Sequence, residues 1–318
     1  MSFEITQREK LRVVVASILG VVLDPIGHSD LAAVCAWAGI YAAQLVAVGY
    51  TLRHRGYPPM QTCRPVLMAL VWAAGALWFA GDIAANVMVH LSRAPLTNCV
   101  FDIVWLRSSL GQNMILFLLL YRCISLLFEY RWGRAMTAGM RVAVGAFLLA
   151  SDLLPAAIST ILPAAKTIKY VPLLQVCQFN DTFKIAMVTL TWLELGTVVA
   201  FVAVLSATTR CAHREYRRLG AACVPLVVSA GLHSAIFFRK PRYPMALGWR
   251  LAVVSLDHAS VLCAWWLLMG SAVYNCRFRH RQHLLEWRQA SAAARKRDSP
   301  ASSQEAQDPA TCHHHLAA

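Results

Sequence analysis

Apolar side chains gather into seven runs, at 31–52, 66–89, 100–127, 142–162, 185–207, 221–238 and 251–273, with short polar breaks between them. A helix rises about 1.5 Å per residue and the hydrocarbon layer is about 30 Å thick, so roughly 20 apolar residues cross it. The sixth run, at 18 residues, is the shortest. Backbone amides in hydrocarbon find no water, so runs of this length satisfy their hydrogen bonds only as helices. The pattern predicts an all-α fold, a seven-transmembrane helical bundle over 31–273. It is preceded by a segment at 1–30 and followed by a basic juxtamembrane segment at 274–298 and a disordered tail at 299–318.

An eighth apolar stretch, 11–23, would reach only about 20 Å and stops at the turn Asp24-Pro25-Ile26-Gly27. With Arg8, Lys10 and Arg12 in front it reads in two ways. A signal peptide would need an Ala-x-Ala exit, which is lacking. A short helix lying in the outer interface fits better.

Composition agrees with a membrane protein: 58% of residues are apolar and 14% charged, against about 25% charged in soluble domains. The net charge of +14 lies between and after the apolar runs. It therefore points to membrane lipids with anionic headgroups as partners, and not to nucleic acid. Zinc spacing, CxxC, a Gly-rich phosphate loop and HExxH are all missing, so no enzyme, cofactor or metal site is expected. His313, His314 and His315 beside Cys312 read as tail composition or a weak metal site. Cys35, Cys123 and Cys263 read as small packing residues. No lysine lies in 251–273, which excludes the Schiff base of a conventional rhodopsin.

Lysine and arginine in the breaks set the orientation. With the amino terminus outside, cytoplasmic segments carry 17 and outer segments 11. The expectation is a multi-pass plasma-membrane protein with its carboxyl terminus in the cytoplasm. Cys99, at the outer mouth of the third run, and Cys177, between the fourth and fifth, would then face the oxidising side and could form a disulfide. Two unrelated thiols are the alternative. The sequon Asn180-Asp181-Thr182 in the same break makes Asn180 a glycosylation candidate.

Ionisable groups inside spans are costly and therefore functional candidates. Counted inward from the outer ends, Asp82, Arg107, Asp152, Glu194, His233, Asp257 and His258 reach one level, with Asn86 a turn above Asp82. Arg107 is expected to pair with Asp82 or Asp257, because a lone guanidinium there is too costly. These eight residues form either a structural lock between helices or a pocket for an unknown extracellular ligand. A proton or ion path is the third meaning.

At the inner end, Arg122 either snorkels to the headgroups or contacts a cytoplasmic partner. The stretches 210–218 and 275–288 are rich in arginine. The second has Phe278, Leu284 and Leu285 spaced as in an interfacial amphipathic helix, and Cys276 beside it is a lipidation candidate. Ordinary positive-inside charge explains both stretches equally.

Several residues carry a family resemblance. They are Arg64-Pro65, Cys99 with Trp105, Arg122, the closing run Leu126-Leu127-Phe128-Glu129-Tyr130-Arg131, Cys177 followed by Lys184, and His213-Arg214-Glu215-Tyr216-Arg217. The stretch 50–220 resembles the seven-helix receptor-like proteins of fungi, slime moulds and oomycetes, some of which carry a regulator-of-G-protein-signalling domain behind the bundle. The resemblance implies a G-protein-coupled-receptor-like role, with Arg122, Glu129, Arg131, Arg214, Arg217 and Arg218 facing a heterotrimeric G protein. No Asp-Arg-Tyr triplet follows the third run, and no Asn-Pro-x-x-Tyr closes the seventh. A proton- or ion-coupled transporter is the second reading and an intramembrane enzyme the third. An odd helix count without a visible repeat weighs against the transporter.

Overall fold

Each apolar run becomes a helix. The computed structural model describes residues 7–18, 22–57, 60–61, 63–91, 97–208, 213–238, 246–278, 285 and 289. A short helix α1 (Gln7–Ile18) precedes the first span, α2 (His28–Arg53), and the second, α3 (Pro65–Ala85). The third span begins as a π-helical segment (Val100–Asn113) and continues as α4 (Met114–Arg131). After α5 (Ala138–Ile161) comes a hairpin of β1 (Ile168–Val171) and β2 (Val176–Phe179), then α6 (Asp181–Thr208), α7 (His213–Phe238) and α8 (Leu247–Phe278). Seven helices among the described residues are long and apolar enough to cross a membrane, the π-helical segment and α4 counting as one. Val46, Val142 and Phe147 are 70–74% exposed on the bundle's flanks, where hydrocarbon, not water, is the fitting solvent. The chain is a multi-pass membrane protein.

The helix starts are chemically specified. Asp30 Oδ2 accepts from Gly27 N at 3.0 Å ahead of α2, and Thr137 Oγ1 accepts from Met140 N at 3.3 Å ahead of α5. Pro65 opens α3, where its missing N–H costs nothing. Asn180 caps α6, its Oδ1 accepting from Thr182 N at 3.1 Å and Phe183 N at 3.4 Å.

Several boundaries differ from the hydrophobic pattern. The second span stops at Ala85, short of 89, because Val87 adopts φ 56° and turns the chain. The sixth begins at His213, so most of the stretch expected as a basic loop forms helix. The seventh runs from Leu247 to Phe278, because hydrogen bonding continues past its apolar core at both ends. Arg250, counted above as an outer-loop charge, therefore lies inside a helix. The β-hairpin is an addition to the all-α expectation; its Ile, Tyr, Val and Phe suit a pleated half-buried ribbon.

α1 starts and stops earlier than 11–23 suggests. Ala16, with Leu23 beyond the helix, packs on Val87, Leu174 and Val176, while Leu11 and Val14 stay exposed. Arg12 Nε donates to Leu174 O at 2.6 Å and fastens α1 to the hairpin. Of the expected amphipathic stretch beyond Phe278, only Leu285 and Gln289 are described, both exposed; the tail and the side chains of Arg131 and Arg214 lie outside the described residues.

Away from the hairpin the spans share an apolar core that includes Leu119, Leu126, Leu205, Tyr216 and Trp265. Trp265 is fully buried and its Nε1 donates to Met68 O at 3.0 Å, so its one polar atom is satisfied. Between this core and the hairpin lies a polar layer.

Candidate functional site

The polar layer is centred on Arg107, which projects from the π-helical segment. Its Nε donates to Asp82 Oδ1 of α3 at 2.6 Å, and its Nη2 lies 3.9 Å from Asp257 Oδ2 of α8. It thus engages both carboxylates proposed for it, one directly. Arg107 is 8% exposed and Asp82 wholly buried, so each charge depends on the other.

Arg107 Nη2 also lies 2.9 Å from His233 Nε2 of α7. A guanidinium only donates, so Nε2 must accept, and the ring proton belongs on Nδ1. That nitrogen is 3.1 Å from Asp257 Oδ2 and donates to it. Asp257 accepts from Ser229 at its other oxygen. Asn86 caps the carboxyl end of α3, its Nδ2 donating to Asp82 Oδ1 at 2.7 Å and to Asp82 O at 3.1 Å.

His258 sits deeper. Its Nε2 is 3.4 Å from Asp82 Oδ2, and its Nδ1 is 3.0 Å from the Tyr41 hydroxyl of α2. Trp37, Tyr41, Trp78 and Phe79 surround the imidazole edge-on, with ring centroids 5.0–5.9 Å away. Spans one, two, three, six and seven therefore meet in one bonded network.

Toward the hairpin this network opens onto a cavity of about 40 Å3. Arg107, Ser108, Gln112 and His233 supply its polar wall; Phe179, Phe183 and Met187 supply the apolar one. The Cys99–Cys177 disulfide, with Cα atoms 5.6 Å apart, ties β2 to the start of the third span. The expected bridge is therefore present. Tyr170 of β1 adds a hydrogen bond to Leu91 O.

Of the eight candidate ligand-binding residues, Arg107 and His233 line the cavity. Asp82, Asn86, Asp257 and His258 stand behind them as support. Asp152 and Glu194 do not join. Glu194 lies near Asp152, and Asp152 Oδ1 and Oδ2 and Glu194 Oε2 are buried without a hydrogen-bond partner among the described residues. They were placed in the layer by depth alone, and depth leaves open which way around the helix a side chain points.

The other sequence candidates divide. Asn180 spends its side chain on capping α6, with Nδ2, the atom a glycan would use, donating to Ala165 O at 3.2 Å. Cys276 is buried, with the Tyr50 hydroxyl donating to its Sγ at 3.4 Å. The extension of α8 turns this thiol into the bundle, so it is not presented for lipidation. Glu129 pairs with Arg64 at 2.5 Å; Arg217 is exposed and Arg218 half-buried.

Sequence reasoning missed the cage around His258, because aromatic residues in apolar runs look like ordinary core. It also missed a second buried ion pair at the hairpin end. Arg250 Nε and Nη2 donate to Asp30 Oδ1 and Oδ2 at 2.6 and 2.7 Å, and Nη1 donates to Asp24 O at 2.9 Å. No group of three or more metal-binding side chains occurs among the described residues. No protein-family model matches the chain, and no curated protein does either.

Proposed function

We propose that this is a G-protein-coupled-receptor-like protein of the plasma membrane, with its amino terminus outside. In this reading it senses a small extracellular ligand at the hairpin end and signals to a cytoplasmic heterotrimeric G protein. The observation that carries the reading is the cavity edged by Arg107 and His233 beneath a covalently tethered hairpin. A ligand reaching these two groups would touch donors already bonded to spans two and seven. At about 40 Å3 the cavity holds a few waters, so a ligand must favour an arrangement in which the hairpin or the spans stand further apart. That differential affinity is what a signal requires.

Guanine-nucleotide exchange on co-expressed G-protein subunits tests this directly. Membranes carrying the protein should raise exchange on at least one subunit class, and Arg122→Leu should abolish the rise. No rise on any class would end the receptor reading. A transporter has one observation in its favour, the Asp152–Glu194 pair set apart from Arg107, where a proton or small cation could reside. Flux driven by a pH step in liposomes, lost in Glu194→Gln, would support it.

A further inference from the structure

At the end of the bundle opposite the hairpin lies a larger cavity of about 680 Å3, within the range of small-molecule sites. Its wall comes from the turn after α2, the start of α3, the end of α4 and the approach to α5. Among the described residues four arginines line it, Arg55, Arg64, Arg122 and Arg141, against one carboxylate, Glu129. Glu129 is already paired with Arg64 at 2.5 Å. Arg55, Arg64 and Arg141 are exposed, so the cavity presents a positive charge that an anion in solution can reach and that attracts it.

Two further features shape it as a site. Arg122 is 8% exposed and lines the wall, shielded from bulk water. Arg64 caps α3 with φ 52° and ψ 68°, a left-handed conformation rare for a side-chain-bearing residue. This turn lets Pro65 start the helix while Arg64 stays on the wall. Val66, Leu67 and Met136 add an apolar strip beside the arginines, which suits a ligand with a charged head and a greasy stem.

We propose that this cavity binds a multiply phosphorylated anion, either the headgroup of a membrane lipid or the same phosphates free in solution. Several guanidiniums converging from separate elements match the several oxygens of such a group, which one surface arginine cannot do. Glu129 acts as the internal competitor, holding Arg64 until a phosphate replaces it. The inference needs only the cavity and stands independently of the receptor reading.

The test uses the full chain in neutral phosphatidylcholine nanodiscs, titrated with a short-chain phosphatidylinositol bisphosphate, with inositol trisphosphate or with a hexaglutamate peptide. Saturable binding of a phosphate probe is expected. Preference for the lipid identifies a headgroup site, and equal binding of both identifies a site for the phosphates themselves. Arg55→Gln with Arg141→Gln should weaken binding at least about tenfold, while Glu129→Gln should strengthen it by removing the competitor. Arg53→Gln with Arg134→Gln removes exposed charge from the same end outside the cavity, and should change binding by less than about twofold. Because Glu129→Gln is a gain, an unfolded variant cannot imitate the result. Three outcomes would overturn the proposal: no saturable phosphate binding, equal losses in the two arginine pairs, or binding of the acidic peptide alone.

Discussion

Arg107 braces the bundle and lines a cavity at the same time. Its guanidinium holds Asp82 at 2.6 Å and reaches His233 at 2.9 Å while lining the hairpin-end cavity. Replacing it with Ala leaves a fully buried carboxylate without its cation, a defect of about 3–5 kcal/mol. We expect Arg107→Ala to lower the thermal midpoint in detergent sharply and to reduce surface expression. Adding Asp82→Asn should restore much of the stability, because the uncompensated charge is gone. If the double variant is no more stable than Arg107→Ala, the pair is not the brace. Arg107 and Asp82 were legible in the sequence because ionisable groups inside an apolar run are conspicuous. Arg250 and Asp30 bond just as tightly, yet they sit at span edges, where charges pass for loop residues. Asp152 and Glu194 failed in the opposite sense: their depth was readable, but their rotation about the helix was not.

Spans two and three approach so closely that glycine decides the contact. A Cβ on Gly81 would lie 2.5 Å from Arg107 N and 2.5 Å from Asp102 O, and one on Gly111 would lie 2.7 Å from Trp78 Cα. These obstacles are largely backbone, so rotamer changes cannot relieve them. Gly81→Ala should therefore misplace Arg107 itself, at a cost at or above the roughly 1–3 kcal/mol usual for overpacking. By contrast, Gly145 and Gly196 meet nothing within 4 Å, and alanine there should be neutral or stabilising by up to about 1 kcal/mol. Melting curves of the three variants decide the matter, and a tolerated Gly81→Ala would show that the two helices separate at little cost. Apolar run lengths revealed that these helices exist. They said nothing of the π-helical winding over Val100–Asn113, because a hydrophobic run carries no mark of which carbonyl each amide chooses. The hairpin was legible in principle from its β-branched and aromatic residues, but two strands of four residues are too short to stand out beside the spans.

At the scale of the whole molecule the two ends differ in kind, and the difference bears on orientation. The sequence tally of basic residues favours the hairpin end as outer by only 17 to 11. Yet two of the eleven are spent internally: Arg250 is locked to Asp30, and Arg12 is buried against Leu174 O. At the opposite end Arg53 and Arg134 are exposed, and Arg55 and Arg141 line an open cavity. Among the described residues the charge exposed at the two ends is thus more one-sided than the residue count. Seven crossings also oblige the two termini to lie on opposite sides. An epitope tag at the amino terminus should therefore react with antibody on intact cells, and a tag at the carboxyl terminus only after permeabilisation. Lys169→Cys on the exposed face of β1 should be labelled by a membrane-impermeant thiol reagent in the same intact cells. Labelling of this site only after permeabilisation would reverse the bundle, placing the tethered hairpin in the cytoplasm and the arginine cavity outside.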